Sequence, residues 1–225
     1  PLVQGAVGAG RGMSCYGLKG GIGSASRRFE LTHSYCSETA EYTLGTLVLT
    51  NFGTLKDLRI EGRPVGIELA RDPHIRKTLD TSRPVPPDQK REQEQKRDQD
   101  QEQGSVIVLL ATDAPLSSRQ LGRIARRASA GLNRTGSFIA GGSGEIALAF
   151  STAYTIPHFP SQPVSQSCSV HEDLLDRFFL AAAESVEEAV LNSMITAERV
   201  EGRDGHVRCS LADYLPILGY SCTEN

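Results

Sequence analysis

The sequence lacks any long apolar run, and no stretch approaches the roughly 20 residues that a membrane-spanning helix needs. Its first residues, PLVQGAVGAG, also lack the charged and apolar regions of a signal peptide. Both absences predict a soluble chain with no membrane partner. Beginning at Pro1 inside a glycine-rich stretch, the sequence is expected to be the later part of a longer one. An excess of basic charge is missing too. There are 15 basic and 14 acidic side chains up to Gly104, and nine and 13 after it, so neither half carries the footprint of a nucleic-acid binder. Cysteine is sparse: Cys15, Cys36, Cys168, Cys209 and Cys222 form an odd set without a C-x-x-C pair. This predicts free thiols in a reducing compartment, the cytoplasm, rather than a disulfide framework.

Several catalytic spacings are absent as well. Gly141-Gly142-Ser143-Gly144-Glu145 is not G-x-S-x-G, because Glu145 stands where the last glycine belongs. His171-Glu172 has no second histidine four residues on, and the five histidines never fall at ligand spacing. A zinc site and a Ser-His-Asp hydrolase are thereby disfavoured, and no metal is expected. Residues 5 to 23 hold eight glycines, yet Met13 replaces the last glycine of a dinucleotide motif, and Lys19 lacks the flanking residues of a phosphate loop. The glycines are read as close backbone packing, and no cofactor is expected.

What is present reads as an ordinary globular protein, 39% apolar and 23% charged. Alternating β-branched residues predict strands over Ala25–Thr32 and Glu41–Thr50, with Asn51-Phe52-Gly53 as a turn. A third strand is expected in DLRIEGRPVG, closing on Pro64. After Gly104 a continuous apolar run, Val106–Ala111, predicts a strand covered on both faces. Pro115 and Ser117 open a helix with Leu121, Ile124, Ala125, Ala128 and Leu132 at helical spacing. GGSGEIALAF then gives a turn and a strand, and a long helix is expected from about Glu172 to Glu198. Strands and helices in this order predict a layered α/β or α+β fold.

One junction stands out. A tract of 16 polar residues, Asp88–Gln103, has little to bury and should stay solvated. It ends abruptly at Gly104-Ser105, where the apolar strand begins. A serine hydroxyl is a weak nucleophile that needs an adjacent base. An α-amine titrates at about 7.7 to 8.0, so cleavage before Ser105 would give that serine a base of its own. Gly104 has no Cβ to obstruct a strained geometry at the carbonyl under attack. Taken alone, Ser105 would be only a polar residue at a strand start.

GSVIVLLATDAPL, followed 38 residues after its serine by SGEIALAFST, closely resembles the DmpA-type L-aminopeptidase/D-esterase family, which includes the β-peptidyl aminopeptidases. GAVGAGRGMSCYGLKGGIGSASRR and TLVLTNFG also resemble that family's α-chain segments. The resemblance covers nearly the whole chain apart from about Thr81 to Gln103. It implies an N-terminal-nucleophile hydrolase with a four-layer αββα sandwich fold. The precursor would cut itself at Gly104-Ser105 into an α chain, of which residues 1–104 are the later part with a flexible insertion over 81–103, and a β chain, residues 105–225.

Residue by residue, the resemblance makes Ser105 the nucleophile and Asn51 the oxyanion-hole amide. Ser143 and Glu145 become the serine and carboxylate around the nucleophile's amine. Two residues apart on an extended strand, these last two side chains would face the same way. Asn51 also reads as a turn asparagine before Phe52-Gly53, and Asp113 as the shaper of a turn. The implied substrates are short peptides, amides or esters that lose their N-terminal residue, with no cofactor. The implied assembly is an oligomer of αβ heterodimers. Two alternatives remain. Ornithine acetyltransferases have a similar fold but expose a threonine after an alanine, and a noncatalytic binding homologue or inactive fragment would keep Gly104-Ser105 joined.

Overall fold

The computed structural model describes residues 2–35, 37–72, 104–202 and 205–220. The expected insertion over 81–103 lies outside them. A four-stranded mixed sheet forms the centre, ordered β3 (Ile22–Thr32), β4 (Thr39–Asn51), β5 (Gly104–Thr112), β6 (Ser143–Ser151). The first two pairings are antiparallel, and β5 runs parallel to β6. Before the sheet stands a small hairpin of β1 (Ser14–Cys15) and β2 (Leu18–Lys19). After β4 comes a short helix, α1 (Val65–Arg71). The parallel pair is joined through α2 (Ser118–Ala125) and α3 (Ala128–Arg134). The long helix α4 (Leu175–Ile195) follows β6, and a two-residue ladder of β7 (Val200–Glu201) and β8 (Val207–Arg208) comes after it. The fold class is α/β, a mixed sheet with helices.

Alternation along the strands decides which face is covered. Leu44, Val48, Val106, Val108 and Leu110 are buried in one core with Phe178, Ala182, Val186, Ala189 and Val190 of α4, which packs across β3 and β4. Each of the valine, leucine and phenylalanine side chains among them contributes roughly 1.5 to 3 kcal/mol by leaving water. Two hydroxyl pairs run through this layer without orphaned groups: Thr46 with Ser185 at 2.6 Å, and Thr50 with Ser193 at 2.9 Å. Ser117 caps α2 in a reciprocal box with Gln120, in keeping with a helix opened by that serine.

Three expectations change. DLRIEGRPVG does not extend a strand. It makes a 3-10 turn at Leu55–Asp57, an Ile60–Arg63 bridge and the start of α1. Glu61 and Gly62 take φ of +53° and +78°, which bend the chain back before Pro64 can close a strand. The single helix after Ser117 is two helices, broken at Arg126-Arg127. The run Val106–Ala111 is covered on one face only among the described residues. Its odd positions share the opposite face with Ile146, Leu148 and Phe150, which are 64%, 56% and 44% exposed. Of the four layers the resemblance implies, the described residues form one sheet and one helical layer, and the other sheet face presents apolar side chains.

Candidate active site

Gly104 and Ser105 open β5, so the junction singled out in the sequence lies at one end of the sheet's central strands. The register brings the candidate residues around it. Ser105 stands opposite Asn51 on one side and Gly144 on the other, while Gly104 pairs with Ser143 and Val106 with Glu145. All the candidate site residues therefore meet on three adjacent strands. Their faces differ. Ser105, Asn51 and Gly144 belong to the open face, and a Cβ on Gly144 would stand 3.3 Å from Ser105 Oγ. Ser143 and Glu145 point from the opposite face, bracketing the position of the Ser105 backbone nitrogen from the neighbouring strand.

The hydrogen bonds at the junction are local. Ser105 Oγ donates to the Gly104 carbonyl oxygen at 2.7 Å, so the exposed hydroxyl lies against the carbonyl before it. Ser143 Oγ donates to Glu145 Oε1 at 2.9 Å, which ties the expected serine and carboxylate into one unit. Gly104 is sterically required, because a Cβ there would come within 2.1 Å of the Asn51 carbonyl oxygen. Asp113, expected to shape the turn into the helix, bonds back to β4: its Oδ1 accepts from the Thr43 N–H at 2.8 Å where β5 ends.

Asn51 is the last residue of β4 rather than part of a free turn, and the turn itself falls on Gly53 with φ of +84°. Its carboxamide is oriented from outside the sheet, where the Ser14 N–H donates to Asn51 Oδ1 at 3.2 Å. With Oδ1 engaged as the acceptor, Nδ2 is the end left to donate. The β1–β2 hairpin that supplies Ser14 turns through Tyr16 and Gly17, at φ of +50° and +74°, as a two-residue type I′ connection requires. The Tyr16 N–H donates to the Phe52 carbonyl at 2.8 Å, so the hairpin is docked on the residue after Asn51. Tyr16 is also fixed by its ring edge on Phe52 and by its hydroxyl, 2.8 Å from Thr135 Oγ1.

One residue of this hairpin, dismissed in the sequence as a phosphate-loop lysine, has another part. Lys19 is 2% exposed, and its ammonium donates to the carbonyls of Gly10 at 3.0 Å, Gly20 at 2.7 Å and Met13. Burial brings its pKa down to about 8, the Arg208 charge pushes the same way, and Cys15 opposes both. The signal was a lysine within a glycine-rich, apolar stretch that offers carbonyl oxygens instead of carboxylates. Among the described residues, no group of three or more histidines, cysteines or acids could hold a metal ion, and Cys15 is buried in the core.

The arrangement has clear chemical meaning. While Gly104 and Ser105 are joined, the Ser105 nitrogen is an amide whose lone pair is delocalised and cannot serve as a base. Breaking that bond would convert it into an amine beside a hydroxyl, between a carboxylate on one strand and an amide donor on another.

The model of peptidase family S58 matches residues 1–208. A β-peptidyl aminopeptidase, BapA, of Sphingosinicella microcystinivorans is 38% identical over 211 residues, which are 92% of this chain and 48% of that protein. The L-aminopeptidase D-Ala-esterase/amidase of Ochrobactrum anthropi, described as a prototype serine aminopeptidase with a new variant of the Ntn hydrolase fold, superposes with a TM-score of 0.75. It is 37% identical, covering 97% of this chain and 54% of its own. A β-aminopeptidase of Burkholderia sp. superposes with a TM-score of 0.70 at 35% identity, covering 98% and 56%. The chain thus spans about half the length of the curated relatives it matches.

Proposed function

Since the chain belongs to peptidase family S58, we propose that it forms the catalytic half of a self-cleaving serine aminopeptidase that removes the N-terminal residue from short peptides, amides or esters. The observation carrying this reading is the register itself. Asn51 stands opposite Ser105 on one neighbouring strand, and Ser143 and Glu145 flank the Gly104–Ser105 bond from the other.

In the precursor, Ser105 Oγ attacks the Gly104 carbonyl carbon. The C–N bond breaks as the hydroxyl proton passes to the departing nitrogen, leaving an ester between Gly104 and Ser105 Oγ. Water then hydrolyses that ester, and residues 1–104 and 105–225 become separate chains. In turnover the freed α-amine accepts the Ser105 proton as Oγ attacks the substrate carbonyl, and returns it to the leaving amine. Asn51 Nδ2 donates to the oxyanion, a contact of the kind worth about 2.7 to 4 kcal/mol in the transition state. Glu145, held by Ser143, supports the ammonium form of the amine. Water, deprotonated by the same amine, releases the acyl group. None of these steps uses a metal or cofactor. A serine following glycine favours this hydrolase over the acetyltransferase reading, which expects threonine following alanine.

The open apolar face fits the same proposal, because a second sheet of an αββα sandwich would pack there. We assign the protein to the cytoplasm on its sparse, odd set of five cysteines without a C-x-x-C pair, and its assembly to an oligomer of αβ units on family likeness. Intact-mass analysis of the purified protein should show a fragment beginning at Ser105. Ser105→Ala should remain one chain and lose turnover of an aminoacyl anilide, whereas an active Ala variant would overturn the mechanism.

A further inference from the structure

The Met13–Ser14 peptide unit is held at both ends. Its carbonyl accepts from the buried Lys19 ammonium and from the Gly20 N–H, and its N–H donates to Asn51 Oδ1. Ser14 and Lys19 also face each other directly in the hairpin ladder. We propose that Lys19 is a positioning residue for the oxyanion donor: its ammonium fixes the Met13–Ser14 peptide, whose N–H in turn holds the Asn51 carboxamide with Nδ2 free to meet the developing charge.

Elementary chemistry supports the link. An amide side chain rotates easily about its last torsion and presents oxygen and nitrogen with nearly equal shapes. Unless something selects the oxygen for one direction, the donor is aimed only part of the time. A backbone N–H can make that selection, since it only donates. That N–H in turn needs a rigid peptide plane, and here a glycine-rich stretch would otherwise supply little rigidity. The Gly10 and Gly20 carbonyls are drawn to the same ammonium, so three turns of the chain converge on one cation. A charge-assisted bond to the Met13 carbonyl is roughly twice as strong as a neutral one, and it also polarises the Ser14 N–H. A lysine buried purely for stability would be a poor choice, since an apolar side chain of similar volume is often as good in such a place.

This inference rests on the oxyanion role given to Asn51, and a double-mutant cycle separates the two. Turnover of an aminoacyl p-nitroanilide would be measured for the intact protein with Lys19 or Lys19→Met, each with Asn51 or Asn51→Ala. With Asn51 present, Lys19→Met should lower kcat roughly tenfold to a hundredfold, short of the roughly hundredfold to thousandfold loss for an absent donor, and leave KM within about twofold. With Asn51→Ala, the same change should cost less than about twofold. Equal losses in both backgrounds, or no loss in the first, would make Lys19 a scaffold residue and overturn the proposal. If Asn51→Ala turns over normally, the oxyanion reading fails and this inference falls with it. A wild-type protein with neither the Ser105 fragment nor turnover would instead sink the functional reading on which both stand. Should Lys19→Met fail to fold, Lys19→Gln, which keeps an amide donor among the carbonyls, completes the same cycle with the same criteria.

Discussion

A Cβ placed on Gly104 would stand 2.1 Å from the carbonyl oxygen of Asn51 and 2.9 Å from Cα of Phe52. The residue before Ser105 is therefore packed against the backbone of the residue proposed to steady the oxyanion. Gly104→Ala should push β5 away from β4 at this end, separating Ser105 from Asn51. Self-cleavage should slow by a factor of roughly a hundred or more, in line with the cost of displacing a reacting group by about 1 Å. Following the Ser105 fragment over time by intact mass checks this, and cleavage at the wild-type rate would contradict it.

Glu145 bears on pH. A carboxylate near the freed amine favours its ammonium form and so raises its pKa. The amine works as a base only when neutral, so activity rises as pH passes through that pKa. Glu145→Gln removes the negative charge and keeps the shape, and the acid limb of kcat should move to lower pH. The maximal rate should fall as well, because the charged acceptor that Ser143 now holds at 2.9 Å becomes a neutral amide. A limb that stays in place would separate Glu145 from the amine.

Lys19 should mark the alkaline side. Its pKa is pulled down to about 8, and above that pH the neutral amine keeps two N–H groups for three carbonyls. The other groups to weigh are Cys15, which opposes the shift, Arg208, which adds to it, and Cys209, whose carbonyl accepts from the Lys19 backbone N–H at 2.8 Å. We expect kcat to decline above about pH 8 in the wild type. The decline should be absent in Lys19→Arg, which stays charged. A pH profile of both variants decides it.

The candidate junction was legible in the sequence because a polar tract broke against an apolar strand at one glycine and one serine. Resemblance named the partners Asn51, Ser143 and Glu145, and the ladder places them around that junction. The hairpin's part was hidden. Ser14 acts through its backbone N–H, to which a side-chain pattern is blind, and Lys19 was weighed only as a phosphate-loop lysine. The strand expected in DLRIEGRPVG was lost to turn chemistry, since a glutamate at positive φ ahead of Gly62 is not announced by its residue type. The break between α2 and α3 was invisible for another reason: the apolar spacing continues through it, so periodicity alone reads one helix.

The helical layer offers a paired test of how tightly α4 is seated. On β3, a Cβ at Gly23 would lie 1.9 Å from the Ala189 carbonyl oxygen and 2.8 Å from Ser193, both in α4. Neither backbone can yield locally, so Gly23→Ala must lift α4 from the sheet, loosening the Thr50–Ser193 contact at 2.9 Å. Overpacking of this kind costs about 1 to 3 kcal/mol, and a clash with backbone belongs at the upper end. Gly122, inside α2, is the opposite case, with nothing within 4 Å of an added Cβ and no positive φ. There alanine removes backbone freedom from the unfolded chain without strain, and should add about 0.4 to 1 kcal/mol. Chemical denaturation of the two variants should therefore move the midpoint in opposite directions. If Gly23→Ala leaves the midpoint unchanged or raises it, the helical layer is not held to the sheet by the close contact at Gly23, and if Gly122→Ala lowers it, the open space read at that position is contradicted.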